Sequence, residues 1–446
     1  MGEGGARGGG RRRPVTRLLM FLVLAQTLAG FSACQTAPPA ILDFGGLPQD
    51  TSFYLSQPDL DLTASPALQK ERYAEFLNKL LEPWGDNPPV PSVEEVITQF
   101  KKLRAQGGYG ENLRPRSEAW YDELWLLSDL DAYPNTVFKA TTLTATDLRV
   151  LPTMGPVFDT PRVGGGGYPF DRLQQSRVAP NTPVLVLNVS RNGEWAFVNC
   201  HYAWGWIHRR DLARVHDEHV KCWRGDRFAA VIKDGTEVRD KDGRLLFVAD
   251  VGTILPLFTQ KFNEYQVMAA TVDDEGWASI KQANLSATQA VAMPMALSAK
   301  NVAAVANQFL GRPYGWGGYL GNRDCSSLVK DLYTPFGLWL PRNSADQAQH
   351  GGGMVELSGF SKATVLDGQA VPFLSLIWMP GHIMIYLGQY SGQEAIMHSL
   401  WGGGKPGEKL DPVGRVVITP LEGEGGGLLQ RAQGFVNLVN RDQLQR

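Results

Sequence analysis

In GNRDCSSLVKDL, residues 321–332, Cys325 stands behind an acid and ahead of two serines, at what reads as the start of a helix. Leu328, Val329 and Leu332 are spaced for one helical face, which makes Asp324 an N-cap and puts Cys325 in the first turn. Cysteine is a nucleophile only as thiolate, and a helix N-terminus is one setting that lowers its pKa. The same position suits a small buried core residue, so the local pattern leaves both readings open.

A nucleophilic thiol needs a base, and the base needs a third group to orient it. Of seven histidines, His382 opens an apolar strand directly after Pro380-Gly381. His398 lies further on in EAIMHSLWGG, where a return strand could run beside the first. On spacing alone, the plainer reading, with each histidine simply hydrogen-bonded in place, is the stronger one.

These residues belong to a last unit, 291–446, in which helical segments come first and short strands afterwards, an α+β order. SAKNVAAVANQFLG opens it, with Val302, Val305, Ala306 and Phe309 on one face and Gly311 as the stop. Ahead of it, two β-rich runs over 131–215 and 216–290 carry turn signals at Asn192-Gly193, Asp234-Gly235, Asp242-Gly243 and Glu275-Gly276. Each run closes within a short length, which two small barrels explain better than one sandwich. Residues 34–130 read as helical and irregular, with a Ser92/Glu95 capping box and Pro66 at a first helical position. The Pro and Gly between these helices point to a clasp over neighbouring domains rather than a bundle.

At the N-terminus, Arg7, Arg11, Arg12, Arg13 and Arg17 precede an apolar stretch that ends in Ser32 and Ala33, the pattern of an export signal over 1–33. LAGFSACQT resembles the lipobox of bacterial lipoproteins, with Phe31 where Leu is usual, which implies lipidation of Cys34 and a membrane anchor. A chain starting at Cys34 loses five arginines and Glu3, moving the formal net charge from −2 to −6. An acidic chain without basic clusters is a poor nucleic-acid binder.

The site motifs resemble the NlpC/P60 family of cysteine peptidases over about residues 298–440. GRPYGWGGYLGNRDCSSLV is similar to that family's Tyr-x-Trp-Gly-Gly and Asp-Cys-Ser elements, LPRNSADQAQHG to its Pro-Arg-x-Ser-x-x-Gln segment, and PGHIMIYLG to its histidine strand. The order Cys, His, His parallels the Cys, His, Asn order of papain-like enzymes. DLRVLPTMGPVFDTP and GEWAFVNCHYAWGWI resemble a first bacterial SH3-type domain, VGTILPLF and GWASI a second, and RYAEFLNKLLEPWG the family's amino-terminal clip.

The resemblance implies a papain-like α+β catalytic domain behind two SH3-like barrels and a helical clip. It makes Cys325 the nucleophile, His382 the base and His398 the group that orients it. Tyr314 would assist beside the thiol, Trp316 would wall the site, and Asp324 and Ser326 would contact substrate polar groups. It implies peptidoglycan stem peptides as substrate, cut between γ-D-glutamate and a diamino acid, with no cofactor. In relatives of this architecture the first SH3-type domain restricts the site to stems with a free amino-terminal L-Ala; Asp171 in FDRLQQS is a candidate partner for that ammonium. A monomeric, exported protein of the cell envelope or periplasm follows.

Two other classes stay open: a non-catalytic peptidoglycan-binding lipoprotein, and a thiol amidase or acyltransferase of the same fold. Cys200, His201, His208, His216, His219 and Cys222 crowd together in sequence, yet without a CxxC they make no zinc motif. A Cys200–Cys222 disulfide fits an exported protein better than a metal does.

Overall fold

Three helices in the amino-terminal region start where their side chains can cap them. The helix Pro66–Leu81 begins at Ser65, whose hydroxyl accepts from the Leu68 N–H. Val93–Gln106 begins with Ser92 and Glu95 capping each other reciprocally, and Glu118–Ser128 begins at Ser117. The computed structural model in which they are seen describes Met1 and residues 46–56, 63–160, 166–350, 353–357, 362–403, 411–422 and 427–445. The export signal and Cys34 lie outside the described residues. Among the described residues, no helix is long and apolar enough to cross a membrane.

The helices Val93–Gln106 and Glu118–Ser128 pack on each other through Phe100, Leu103, Tyr121 and Leu124, and the apolar faces of the three helices reach different later domains. Tyr73, Phe76, Leu80 and Trp84 share a core with Trp223, Phe228 and Ile254. Val96 packs with Leu185, Trp195, Phe197 and Trp206, and Phe100 and Leu103 pack with Leu151, Val157 and Leu173. Leu47 and Tyr54 enter the core of the last domain, and Thr63–Ala64 pairs antiparallel with Leu444–Gln445. The amino-terminal region is therefore a clasp that touches each later domain in turn. Trp84 pins it: its indole N–H donates to the carbonyls of Ala140 and Val184 at 3.0 and 3.1 Å.

The first β module is a seven-stranded sheet in the order Gln174–Val178, Thr146–Arg149, Trp204–His208, Trp195–Cys200, Pro183–Val189, Phe138–Thr142, Leu212–Arg214. The second is a five-stranded sheet, Ala278–Ser286, Glu264–Val272, Ile254–Lys261, Phe228–Val231, Ala290–Ala292, with a separate hairpin of Thr236–Arg239 and Leu245–Ala249. Gly193, Gly235, Gly243 and Gly276 all hold φ between +72° and +86°, the left-handed conformation that their turns require.

In the last domain the helices Ala299–Ala306, Cys325–Tyr333 and Ser344–Gln349 precede a six-stranded antiparallel sheet. Its order is Val355–Glu356, Gly434–Asn437, Ser375–Met379, His382–Tyr390, Gln393–Gly403, Asp411–Pro420. Leu328 and Leu332 of the cysteine helix pack with Ile383 and Ile385 of the histidine strand. This contact sets helix start and strand start side by side.

Candidate active site

Asp324 caps the helix Cys325–Tyr333. Its carboxylate accepts from the Ser327 N–H at 2.8 Å, while the Ser327 hydroxyl accepts from the Asp324 N–H at 2.9 Å. Buried Leu328, Val329 and Leu332 fix the helix against the core, so Cys325 is held in the first turn with little freedom. The backbone N–H of Ile383 points at the Cys325 sulfur, which places the thiol beside the first residues of the histidine strand.

His382 opens that strand behind Gly381, and the return strand Gln393–Gly403 brings His398 alongside. His382 Nε2 and His398 Nδ1 are 2.8 Å apart, and His398 Nε2 meets the Thr419 hydroxyl at 3.1 Å. His398 pairs with Val417 across the next strand, so the two-residue period puts Thr419 on the same face as His398. Two opposite tautomer sets satisfy the chain, and one of them leaves a base. In that set His398 Nε2–H donates to Thr419, His398 Nδ1 accepts from His382 Nε2–H, and His382 Nδ1 keeps its lone pair free to take a proton.

The charge state departs from the expectation of a thiol lowered by the helix start. Burial, reinforced by the Asp324 carboxylate, pushes the Cys325 thiol up to about 12. Burial, reinforced by the Arg431 cation and opposed by Asp324, pulls His382 down to about 4. Burial, with the neighbouring His382, carries His398 well below the ordinary imidazole value. Desolvation outweighs the helix terminus and favours a neutral thiol beside a neutral imidazole.

Tyr314 is buried, and its hydroxyl is pushed well up by burial, then by the charges of Asp324 and Cys325. It therefore stays protonated as a donor near the thiol. Asp324 and Ser326 are buried too, and occupied inside the protein. Arg342 donates to both Asp324 oxygens at 2.7 and 3.2 Å and to the Ser326 hydroxyl at 2.9 Å. Trp316 is 38% exposed and belongs to an aromatic wall built across two domains. Phe170 of the first β module lies 5.3 Å from Trp316, 6.2 Å from Tyr314 and 6.0 Å from Trp401, ring centre to ring centre.

Asp171 is not part of this wall, which corrects its reading as an ammonium partner. Its carboxylate is fully buried, ion-paired to Arg149 at 2.7 Å, and accepts the N–H groups of Val157 and Leu173. No acceptor capacity faces a ligand. Cys200 and Cys222 are free thiols rather than a disulfide, packed in two different cores. Among the described residues, no group of three or more His, Cys, Asp or Glu could hold a metal ion.

Thr419, Arg342, Phe170 and Trp401 escape the sequence reading. Arg342 does sit in the LPRNSADQAQHG motif, so its segment was visible though its partners were not.

Comparison with known proteins gives four domain matches in chain order. They are an NLPC_P60 stabilising domain, N term, over 17–133; an SH3 domain of SH3b1 type over 156–208; an SH3 domain of SH3b2 type over 217–261; and the NlpC/P60 family over 311–406. A protein of Corynebacterium glutamicum (strain R) named "Probable endopeptidase" is 30% identical over 115 residues, 26% of this chain and 48% of that protein. The chain thus spans about half the length of that curated relative. The structure of an NlpC/P60 endopeptidase from Photobacterium damselae subsp. piscicida superposes with a TM-score of 0.78 at 23% identity, covering 88% of this chain and 97% of that one, a likeness of fold. Domain order and fold together place the chain in the NlpC/P60 family, with a stabilising segment and two SH3-like modules ahead of its NlpC/P60 domain.

Proposed function

We propose that this protein is a thiol-dependent endopeptidase of peptidoglycan stem peptides, cutting between γ-D-glutamate and the following diamino acid. The observation that carries the thiol chemistry is the His382–His398 contact at 2.8 Å beside a helix-start cysteine. Substrate and cut site rest on the resemblance to the NlpC/P60 family.

In this reading His382 Nδ1 takes the Cys325 proton as sulfur attacks the amide carbonyl, a transfer that the resting neutral pair needs at the moment of attack. The first-turn N–H of Cys325 faces the developing oxyanion, and the protonated Tyr314 hydroxyl donates nearby. His382 then hands its proton to the leaving amine, and water, deprotonated by the same imidazole, releases the thioester. Protonated His382 is steadied by its Nε2–H bond to His398.

The preference for a free amino-terminal L-Ala draws support from Tyr168 and Phe170, which lean from the first SH3-like module onto Trp401, Trp316 and Tyr314 and crowd one side of the cleft. Lipidation at Cys34, and with it an envelope location, is part of the same proposal and rests on the LAGFSACQT resemblance.

Incubation with L-Ala-γ-D-Glu-diaminopimelate, followed by mass spectrometry, tests the reaction. Release of the diamino acid by the intact protein and not by Cys325→Ala is expected; no release, or equal release by both, would sink the proposal. A metabolic label of palmitate that survives in Cys34→Ala would remove the anchor.

A further inference from the structure

Between the cysteine helix and the first SH3-like module runs a buried polar bridge that the chemistry above does not use. Arg342 is 5% exposed, and its guanidinium is divided between two domains. One side grips Asp324 and Ser326, the residues flanking Cys325. The other side, Nε–H, donates to the Ser176 hydroxyl of strand Gln174–Val178 at 2.8 Å. Ser176 is 1% exposed, so the bond is sealed from water.

A second strand of the same bridge runs through Gly317. Its N–H donates to the Asp324 carboxylate at 2.9 Å, and its carbonyl accepts from the Gln174 side chain at 3.1 Å. Gln174 is in turn held by the buried Arg149, which pairs with Asp171. The loop bearing Gly317 and Gly318 lies so close to that strand that a Cβ on either would press into Gln174 or Arg177. The double glycine thus answers to two demands, the left-handed backbone of its own loop, with φ +61° and +87°, and the close approach of a neighbouring domain.

We propose that Arg342 is a positioning residue whose geometry is completed by Ser176, so that the first SH3-like module holds the start of the nucleophile's helix and screens the Asp324 charge beside Cys325. This rests on the reading of Cys325 as the nucleophile. A buried carboxylate next in sequence to the thiol opposes thiolate formation, and the guanidinium on that carboxylate offsets it. The groups bearing on Cys325 are Asp324 and the Ser326 N–H from its own helix start, Arg342 from the segment before helix Ser344–Gln349, Tyr314 from the loop ahead, and the Ile383 N–H from the sheet, while His382, next to Ile383, feels Asp324 and Arg431. Arg342 is the cation among these whose position depends on another domain.

The test is the pH dependence of Cys325 alkylation by iodoacetamide in the full chain, read by intact mass alongside the thermal midpoint. Because alkylation needs no substrate, it reports on positioning even where the stem-peptide assignment fails. Arg342→Gln should slow alkylation at pH 8 by about tenfold and move the profile upward by about one pH unit, the factor that one unit represents. Arg342→Lys, which keeps the charge but loses the fork, should recover part of that shift. Ser176→Ala, far from the sulfur in sequence and domain, should give a shift of about two- to fivefold in the same direction, as expected for one hydrogen bond. Should Arg342→Gln fail to fold, the other two variants decide. Wild-type profiles in both Arg342→Lys and Ser176→Ala, with folded protein, overturn the proposal.

Discussion

His382 and His398 face each other through Nε2 and Nδ1 at 2.8 Å, and the Thr419 hydroxyl closes the far side of His398 at 3.1 Å. The order of contacts makes Thr419 an anchor for the ring of His398, and His398 an anchor for the ring of His382. Removing the nearer link should hurt more. His398→Ala is expected to lower kcat/KM by about 100-fold or more, in the range that a misplaced catalytic base costs. Thr419→Val, nearly isosteric, should cost about two- to tenfold, the loss of one buried hydrogen bond. Steady-state kinetics on the tripeptide would reject this ranking if Thr419→Val were the more damaging change.

With His382 drawn down to about 4, the competent neutral imidazole persists well below neutral pH. The acid limb of kcat/KM should fall through about pH 4 rather than near the 6.5 of an exposed histidine. Short assays across pH 4 to 8 would show this, and a limb centred above 6 would mean that the imidazole is not held neutral.

The same burial makes the fold acid-sensitive. His382 and His219 sit at about 4, His201 at about 3, and His398 is held well below the ordinary imidazole value, so each binds its proton in the unfolded chain before it does in the folded one. A depressed histidine stabilises the fold above its unfolded pKa, and that stability drains away as pH falls from 6.5 towards 4. Each independent site contributes a slope of up to about 1.4 kcal/mol per pH unit, so His201, His219 and the hydrogen-bonded pair of His382 and His398 together approach about 4 kcal/mol per unit in the middle of the window. Neither ring nitrogen of His219 finds a hydrogen-bond partner among the described residues, and it packs edge-on against Trp84. His219→Phe should therefore flatten the slope by one histidine without harming stability at pH 7. Urea titrations at pH 7, 6 and 5 measure it, and a pH-independent unfolding free energy would refute it.

The legible part of the site was the part written in short sequence patterns. Asp324, Cys325 and Ser327 announce a capped helix, and Pro380-Gly381-His382 announces a strand start, because both depend on residues within one turn or one strand. Asp171 misled because its partner Arg149 lies on another strand, and a loop acid looks free until that pairing is known. Thr419 becomes visible only once the register of two strands is fixed. The thiol's charge state was misjudged for a related reason. A helix start is local and readable, whereas the desolvation that outweighs it comes from the whole packed domain.

Gly317 tests whether the domain contact is obligatory. It holds φ +61°, and a Cβ there would meet the Gln174 backbone and side chain. Gly317→Ala should destabilise by about 2 kcal/mol or more, summing the left-handed strain of a non-glycine residue and overpacking at a backbone contact. Because the strain falls on the seam, limited proteolysis should cut faster in the loop that carries Gly317. A thermal midpoint equal to wild type would show that the seam is loose.

Phe170 carries the preference for a free amino terminus, if the first SH3-like module sets it by crowding. Its ring contributes no charge, so the effect proposed for it is steric, exerted where it stands 5.3 Å from Trp316 and 6.0 Å from Trp401. Phe170→Ala should leave cleavage of the free tripeptide within about tenfold, a loss that comes through Tyr314, the one group of the proposed machinery whose ring Phe170 touches. It should raise cleavage of the amino-blocked tripeptide, narrowing the ratio of the two kcat/KM values by about tenfold, the discrimination a single buried side chain supplies. Tyr168, 58% exposed and 6.1 Å from Trp401, should matter less. If both tripeptides lose activity in parallel, the aromatic wall orients the substrate rather than selecting it; if the ratio is unchanged with full activity, selection lies elsewhere in the cleft.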